Sequence, residues 1–220
     1  MLMEITKDSL CTTVNHVDHL LATNEKYYQI FTNKPFFKMI QDGFLNKNEK
    51  QREAFFNYVQ IFSDYFQTMM QARQASCRDE KFYPTFLAHF MEELGHDALL
   101  KKRKKVTPAW DPIIVAVCTW FVHQMQVLDN IEKTVVMHLV LEKTGDYYHA
   151  LGNQALSQYM ESEYYAIHAE VDEHHSTMIM GLLPGYPAFT YQRLHVILNE
   201  SWQMMYTMVD RVYELVMQTS

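Results

Sequence analysis

The chain has 220 residues, 48% of them hydrophobic, with only 6 Gly and 6 Pro against 15 Met, 14 Tyr and 13 Phe. That is enough apolar material for one core and too few turn formers for a sheet protein, so a helical domain with an apolar interior is expected. A formal charge of −7 argues against a nucleic-acid groove or an anionic membrane surface as the main partner.

Cys11, Cys77 and Cys118 are scattered and form no CxxC pair, which reads as the thiols of a reducing compartment. The segment Met1 to Asp8 has neither the basic region nor the apolar run of a signal peptide. No stretch reaches the length of a membrane span. The expectation is a soluble, cytoplasmic protein with a single helical domain over residues 1–220.

Thr6 to Asn24 carries Leu10, Val14, Val17, Leu20 and Leu21 at helical spacing. His16 and His19 sit on this helix without a carboxylate at ligand spacing, and read as polar-face histidines. After the break at Asn33-Lys34-Pro35, Pro35 to Gly43 reads as a short helix capped by Gly43. Asn48 to Cys77 is a long helix whose aromatic and Met stripe either packs in the core or lines a pocket. Asp64 is its interior acid, solvated or hydrogen-bonded.

Lys81 to Lys104 reads as one helix bearing His89, Glu93 and His96 on a single side, amid apolar Phe86 and Leu100. Glu92 points elsewhere. Gly95 inside that helix costs roughly 1 kcal/mol relative to Ala, which a close helix–helix approach would explain. Lys101 to Lys105 is a basic run suited to a solvated helix end. Asp111 to Val127 is apolar almost all round, so it reads as a buried helix with His123 as a core or pocket histidine. A further helix from about Ile131 to Gly152 holds Glu142 one turn after His138, as either a paired core acid or a metal ligand. Phe189 to Gln218 forms the last long helix. Seven or eight helices and no strand are expected.

The helix read from Gln154 to Met180 carries His168-Ala169-Glu170-Val171-Asp172-Glu173-His174-His175. At about 100° per residue, Asp172 falls roughly 40° from His168, and His175 roughly 20° to the other side. His168, Asp172 and His175 therefore share one stripe, while His174 and Glu170 lie off it. Two imidazoles and a carboxylate converging on one face suit a metal and not an apolar core.

Glu93, His96, Glu142, His168, Asp172 and His175 together make three imidazoles and three carboxylates on three helices. A Glu-x-x-His pair facing into a helical bundle is a recurrent di-metal device, though alone it carries little weight. The mixed N/O set suits iron or manganese. His168 and His175 are about 10.5 Å apart along an ideal helix axis, which fits flanking two metals better than chelating one.

The chain resembles the haem-oxygenase-like, or TenA/PqqC-like, helical superfamily, and within it the branch of non-haem di-iron oxidases and oxygenases. The resemblance covers most of the chain. It rests on Pro35 to Gly43, on Glu92-Glu93-Leu94-Gly95-His96, on Leu141-Glu142-Lys143-Thr144-Gly145, and above all on the closing HxxxDxxH. It implies an all-α bundle of the haem-oxygenase-like type and six iron ligands: Glu93, His96, Glu142, His168, Asp172 and His175. Because ligand spacing on the first of these helices varies within the branch, His89 or Glu92 could replace Glu93 or His96.

The resemblance further implies two iron ions, or a manganese–iron pair, O2 and a small organic substrate as partners, and a homodimer. No axial histidine with a Gly-rich distal helix marks a haem site. Two other readings compete with the di-iron oxidase. One is a thiaminase-like or cofactor-free PqqC-like enzyme on the same fold, for which Cys118 is the nucleophile by type. The other is a non-catalytic binding protein displaying an apolar patch on the last helix at Trp202, Met204 and Met205.

Overall fold

The computed structural model describes residues 7–102, 109–160, 164–168 and 178–220, with side chains from residue 16 onward. Every described element is helical: α1 (Lys7–Thr32), α2 (Pro35–Gln41), α3 (Phe44–Lys47), α4 (Glu49–Ser76), α5 (Tyr83–Glu93), α6 (His96–Leu100), α7 (Pro112–Val127) and α8 (Asn130–Thr134). A π-helical segment (Val135–Glu142) then leads straight into α9 (Lys143–Ala155), followed by α10 (residues 164–168) and α11 (Ala188–Gln218). The protein is all-α, as its composition and periodicity require.

Local signals set the helix starts. Pro35 occupies the first turn of α2, where its missing N–H costs nothing. The Asp111 carboxylate accepts from the backbone N–H groups of Ile113 and Ile114 and so caps α7. Asp129 and Glu132 form a reciprocal capping box at α8.

Burial of single faces then assembles the bundle. On α11, Leu194, Leu198, Trp202, Met205, Val209, Val212 and Val216 recur at three- and four-residue spacing and are buried. Trp202 is completely enclosed, and its indole N–H donates to Asn24 Oδ1 on α1 at 2.8 Å, so the largest core residue also satisfies its polar atom. α11 packs on α1, α4, α7 and the π segment, and α4 packs along α7. Burial of Trp202 and Met205 removes the apolar patch expected on the last helix.

Several expectations need correction. The stretch 81–104 is not one helix: α5 ends at Glu93 and α6 begins at His96, with Gly95 at φ +89° between them. Nothing lies within 4 Å of where a Gly95 Cβ would stand, so its left-handed backbone and not a close helix contact demands glycine. α7 is amphipathic: Ile114, Val117, Cys118, Phe121 and Met125 are buried while Ile113 is exposed. His123 is exposed on the outer face of α7, not in the core.

The stretch expected as a plain helix from Ile131 runs instead through the π segment. All eight residues Val135–Glu142 are buried, including His138 and Glu142. A π register widens the turn and weakens hydrogen bonding, and such segments recur at functional sites. Here it delivers Glu142 inward at its last position.

Candidate metal centre

Glu93 is the hub. It ends α5 with its carboxylate buried, only 4% exposed, at the negative end of the helix dipole. A buried carboxylate in that position calls for a nearby cation. Gln67 on α4 fixes the chain as it turns away: its side-chain N–H donates to Glu93 O at 2.7 Å, and its Oε1 accepts from Gly95 N at 3.2 Å. The break at Gly95 is thus held by one amide, which brings His96 back onto Glu93, with Nδ1 3.2 Å from Glu93 Oε2.

His168 approaches from α10. Its Nδ1 lies 2.6 Å from Tyr164 O one turn back. A carbonyl can only accept, so Nδ1 carries the hydrogen and Nε2 keeps its lone pair, 4.0 Å from Glu93 Oε2. That is the tautomer and second contact of a metal-binding imidazole. Burial pushes the His168 ring down to about 3, so it stays neutral. His96 and His168 sit edge to face with centroids 4.6 Å apart.

Glu142 completes the cluster with its carboxylate 5% exposed and Oε1 2.9 Å from His89 Nε2. Two groups result, Glu93/His96/His168 and His89/Glu93/Glu142, in each of which the ligating atoms lie within 4.8 Å of one another. Both groups contain Glu93. The structure therefore brings together four sequence-derived residues, Glu93, His96, Glu142 and His168. Asp172 and His175 lie outside the described residues, as do Glu170, His174 and the basic residues from Arg103 to Lys105. Glu92 is exposed and belongs to neither group.

Behind the cluster Arg73 on α4 is completely buried. Its guanidinium reaches His89 Nδ1 at 3.0 Å, His138 Nε2 at 3.2 Å and Phe86 O at 3.4 Å. Burial lowers it to about 10, with the Glu142, Cys77 and Glu93 charges acting the other way, so it is cationic at neutral pH. His149, buried on α9, lies tilted against His168 with centroids 4.1 Å apart, and its Nε2 meets Tyr164 Oη at 3.1 Å. Sequence reasoning missed Arg73, His149 and Gln67. His149 follows Glu142 by seven residues, two helical turns, and that spacing was its available signal.

A cavity of about 100 Å³ opens onto Glu93, His96, Glu142 and His168. Its other walls are mainly apolar, with Phe37, Phe62, Phe66, Met205, Met208 and Val212 prominent, and no Lys or Arg lines it among the described residues. Gly152 lets the neighbouring wall close, since a Cβ there would run into the Tyr165 ring, whose Oη is 2.8 Å from Tyr148 Oη. Cys118 is far from this chemistry: it is fully buried outside the cavity lining, and burial pushes its thiol up to about 12. His16 stacks on Tyr191, and His19 pairs with His195, on the outside of the bundle.

The architecture is the haem-oxygenase-like, TenA-like helical fold. A TenA homologue from Pyrococcus furiosus superimposes with a TM-score of 0.72 at 12% identity, over 90% of this chain and 100% of that one. A domain of unknown function with a haem-oxygenase-like fold from Shewanella denitrificans gives 0.62 at 13% identity, over 94% and 96%. At the sequence level, an uncharacterised protein of Rickettsia prowazekii is 28% identical over 206 residues, covering 92% of this chain and 97% of that protein. No family model matches the sequence.

Proposed function

We propose that the chain is an O2-dependent, non-haem di-metal oxidoreductase that holds two iron ions, or one manganese and one iron, and oxidises a small organic molecule. The observation that carries this reading is Glu93, a buried carboxylate that meets His96 and His168 and also lies beside the second buried carboxylate, Glu142. The donor set fits: imidazole and carboxylate without thiolate suit Fe(II) and Mn(II).

In this reading Glu93, His96, Glu142 and His168 hold the metals together with Asp172 and His175. Bound metals would relay electrons from the organic substrate to O2. His168 presents its Nε2 lone pair because the Tyr164 carbonyl retains the proton on Nδ1. Phe37, Phe62, Phe66 and the methionines exclude water and leave an apolar space for substrate beside the metal-facing carboxylates. With no Lys or Arg in the described lining, an acidic substrate would find its main counter-charge at the metals.

The deep burial of Cys118 gives a thiaminase-like nucleophile no support, and burial of Trp202 and Met205 gives none to a docking protein. The test is anaerobic titration of metal-free protein with Fe(II), followed by exposure to O2. Uptake of about two equivalents per chain, then O2 consumption with a transient visible absorption, is expected. A chain that binds no Fe(II), and behaves identically as His168→Ala, rules the proposal out.

A further inference from the structure

His89 and Glu142 resemble one half of a metal site: both are buried, with His89 Nε2 2.9 Å from Glu142 Oε1, and both share Glu93 as neighbour. The third contact of His89 points to a different role. Its Nδ1 lies 3.0 Å from an Arg73 guanidinium nitrogen. Guanidinium is a donor only, so Nδ1 must be the lone-pair nitrogen and the ring hydrogen must reside on Nε2, on the side of Glu142. A neutral imidazole in that tautomer has no Nε2 lone pair to give a metal.

We propose that His89 is not a metal ligand but a positioning residue, locked by Arg73 as the Nε2–H tautomer, so that a protonated ring nitrogen and not a lone pair lies 2.9 Å from Glu142 Oε1. His138 is fixed by the same cation: its Nε2 accepts from Arg73 at 3.2 Å, which puts its hydrogen on Nδ1. One buried guanidinium, itself held at Phe86 O and over the Phe86 ring, thereby sets the tautomers of two histidines on two different helices. Arg73 also supplies positive charge next to Glu93 and Glu142, keeping two buried carboxylates together before any metal arrives. Loss of a partner this close to a ligand costs on the order of 10–100-fold in metal affinity.

This deepens the di-metal reading and rests on it for the role of Glu142, but the tautomer can be tested without metal. Long-range ¹H–¹⁵N NMR of the metal-free full chain, with ring signals assigned by loss in His89→Gln and His138→Gln, is expected to show Nε2–H for His89 and Nδ1–H for His138. An Nδ1–H tautomer at His89 overturns the proposal. In Fe(II) titrations, His89→Gln keeps an N–H donor and is expected to retain both equivalents. His89→Ala should retain both at 10–100-fold weaker affinity for one, and His96→Ala should lose one outright. If His89→Gln loses an equivalent as His96→Ala does, His89 is a ligand and the proposal fails. A wild-type chain that takes up no Fe(II) overturns the di-metal reading, and the NMR spectrum still decides the tautomer. Arg73→Met carries the lock further and should let His89 change tautomer. Because that substitution empties a buried site, the His89 variants decide the matter if it does not fold.

Discussion

His168 Nδ1 sits 2.6 Å from the carbonyl oxygen of Tyr164, and this contact aims the opposite nitrogen at Glu93. Within an α-helix that carbonyl would normally accept from the backbone N–H four residues on. Here the side chain four residues on reaches it, so one helical turn fixes both the orientation and the tautomer of the His168 ring. The same turn places Tyr164 against His149 and the cavity wall.

His168→Ala should therefore lose one Fe(II) equivalent and O2 consumption while retaining the helical fold. Isothermal titration and far-UV circular dichroism check the two halves. Unchanged stoichiometry would remove His168 from the ligand set.

Gly95 and Gly152 should respond differently to alanine. At φ +89° with open space around it, Gly95→Ala pays only for backbone strain, about 1–2 kcal/mol. Gly152→Ala drives a methyl group into the Tyr165 ring and should cost about 1–3 kcal/mol through overpacking. It should also disturb the Tyr148–Tyr165 hydrogen bond and narrow the cavity. Urea denaturation of metal-free protein measures both losses, and only Gly95→Ala should in addition weaken metal binding by loosening His96.

Asp111 links α7 to α11 through Arg211, at 2.8 Å. Burial alone would raise its carboxyl, but the Arg211 hydrogen bond and the Ile113 and Ile114 N–H groups hold it below the ordinary 3.8. A carboxyl depressed on folding contributes stability above its unfolded pKa, and loses it as pH falls through the folded value. Asp111→Asn keeps a capping oxygen and removes the charge. It should be less stable than wild type at neutral pH, with the gap closing below about pH 3.8. Asp111→Ala should lose about 1 kcal/mol more, the worth of the cap. Thermal melts across pH 3 to 7 read this out.

Cys118→Ser should leave Fe(II) stoichiometry and O2 consumption unchanged, since the thiol is enclosed away from the cavity. Loss of turnover in that variant, with turnover in wild type surviving chelators, would favour the hydrolase reading instead.

The sequence by itself determined the class of fold and singled out four of the polar side chains that the bundle brings together. Leu194 to Val216 at helical spacing, Pro35 at a helix start and Asp111 before Pro112 are local signals, and local periodicity and capping act through neighbours in the chain. Glu93, His96, Glu142 and His168 stood out because ionisable groups on apolar faces are rare without a purpose. Tertiary structure decided the rest. Gly95 could be read as a helical residue until the break and its Gln67 clamp, from another helix, were visible. The π segment Val135–Glu142 packs against α11, and no local pattern announced its register. Above all, whether His89 is a ligand depends on Arg73, 16 residues earlier and on another helix. A tautomer is fixed by what touches the far nitrogen, and only the assembled bundle brings that contact about.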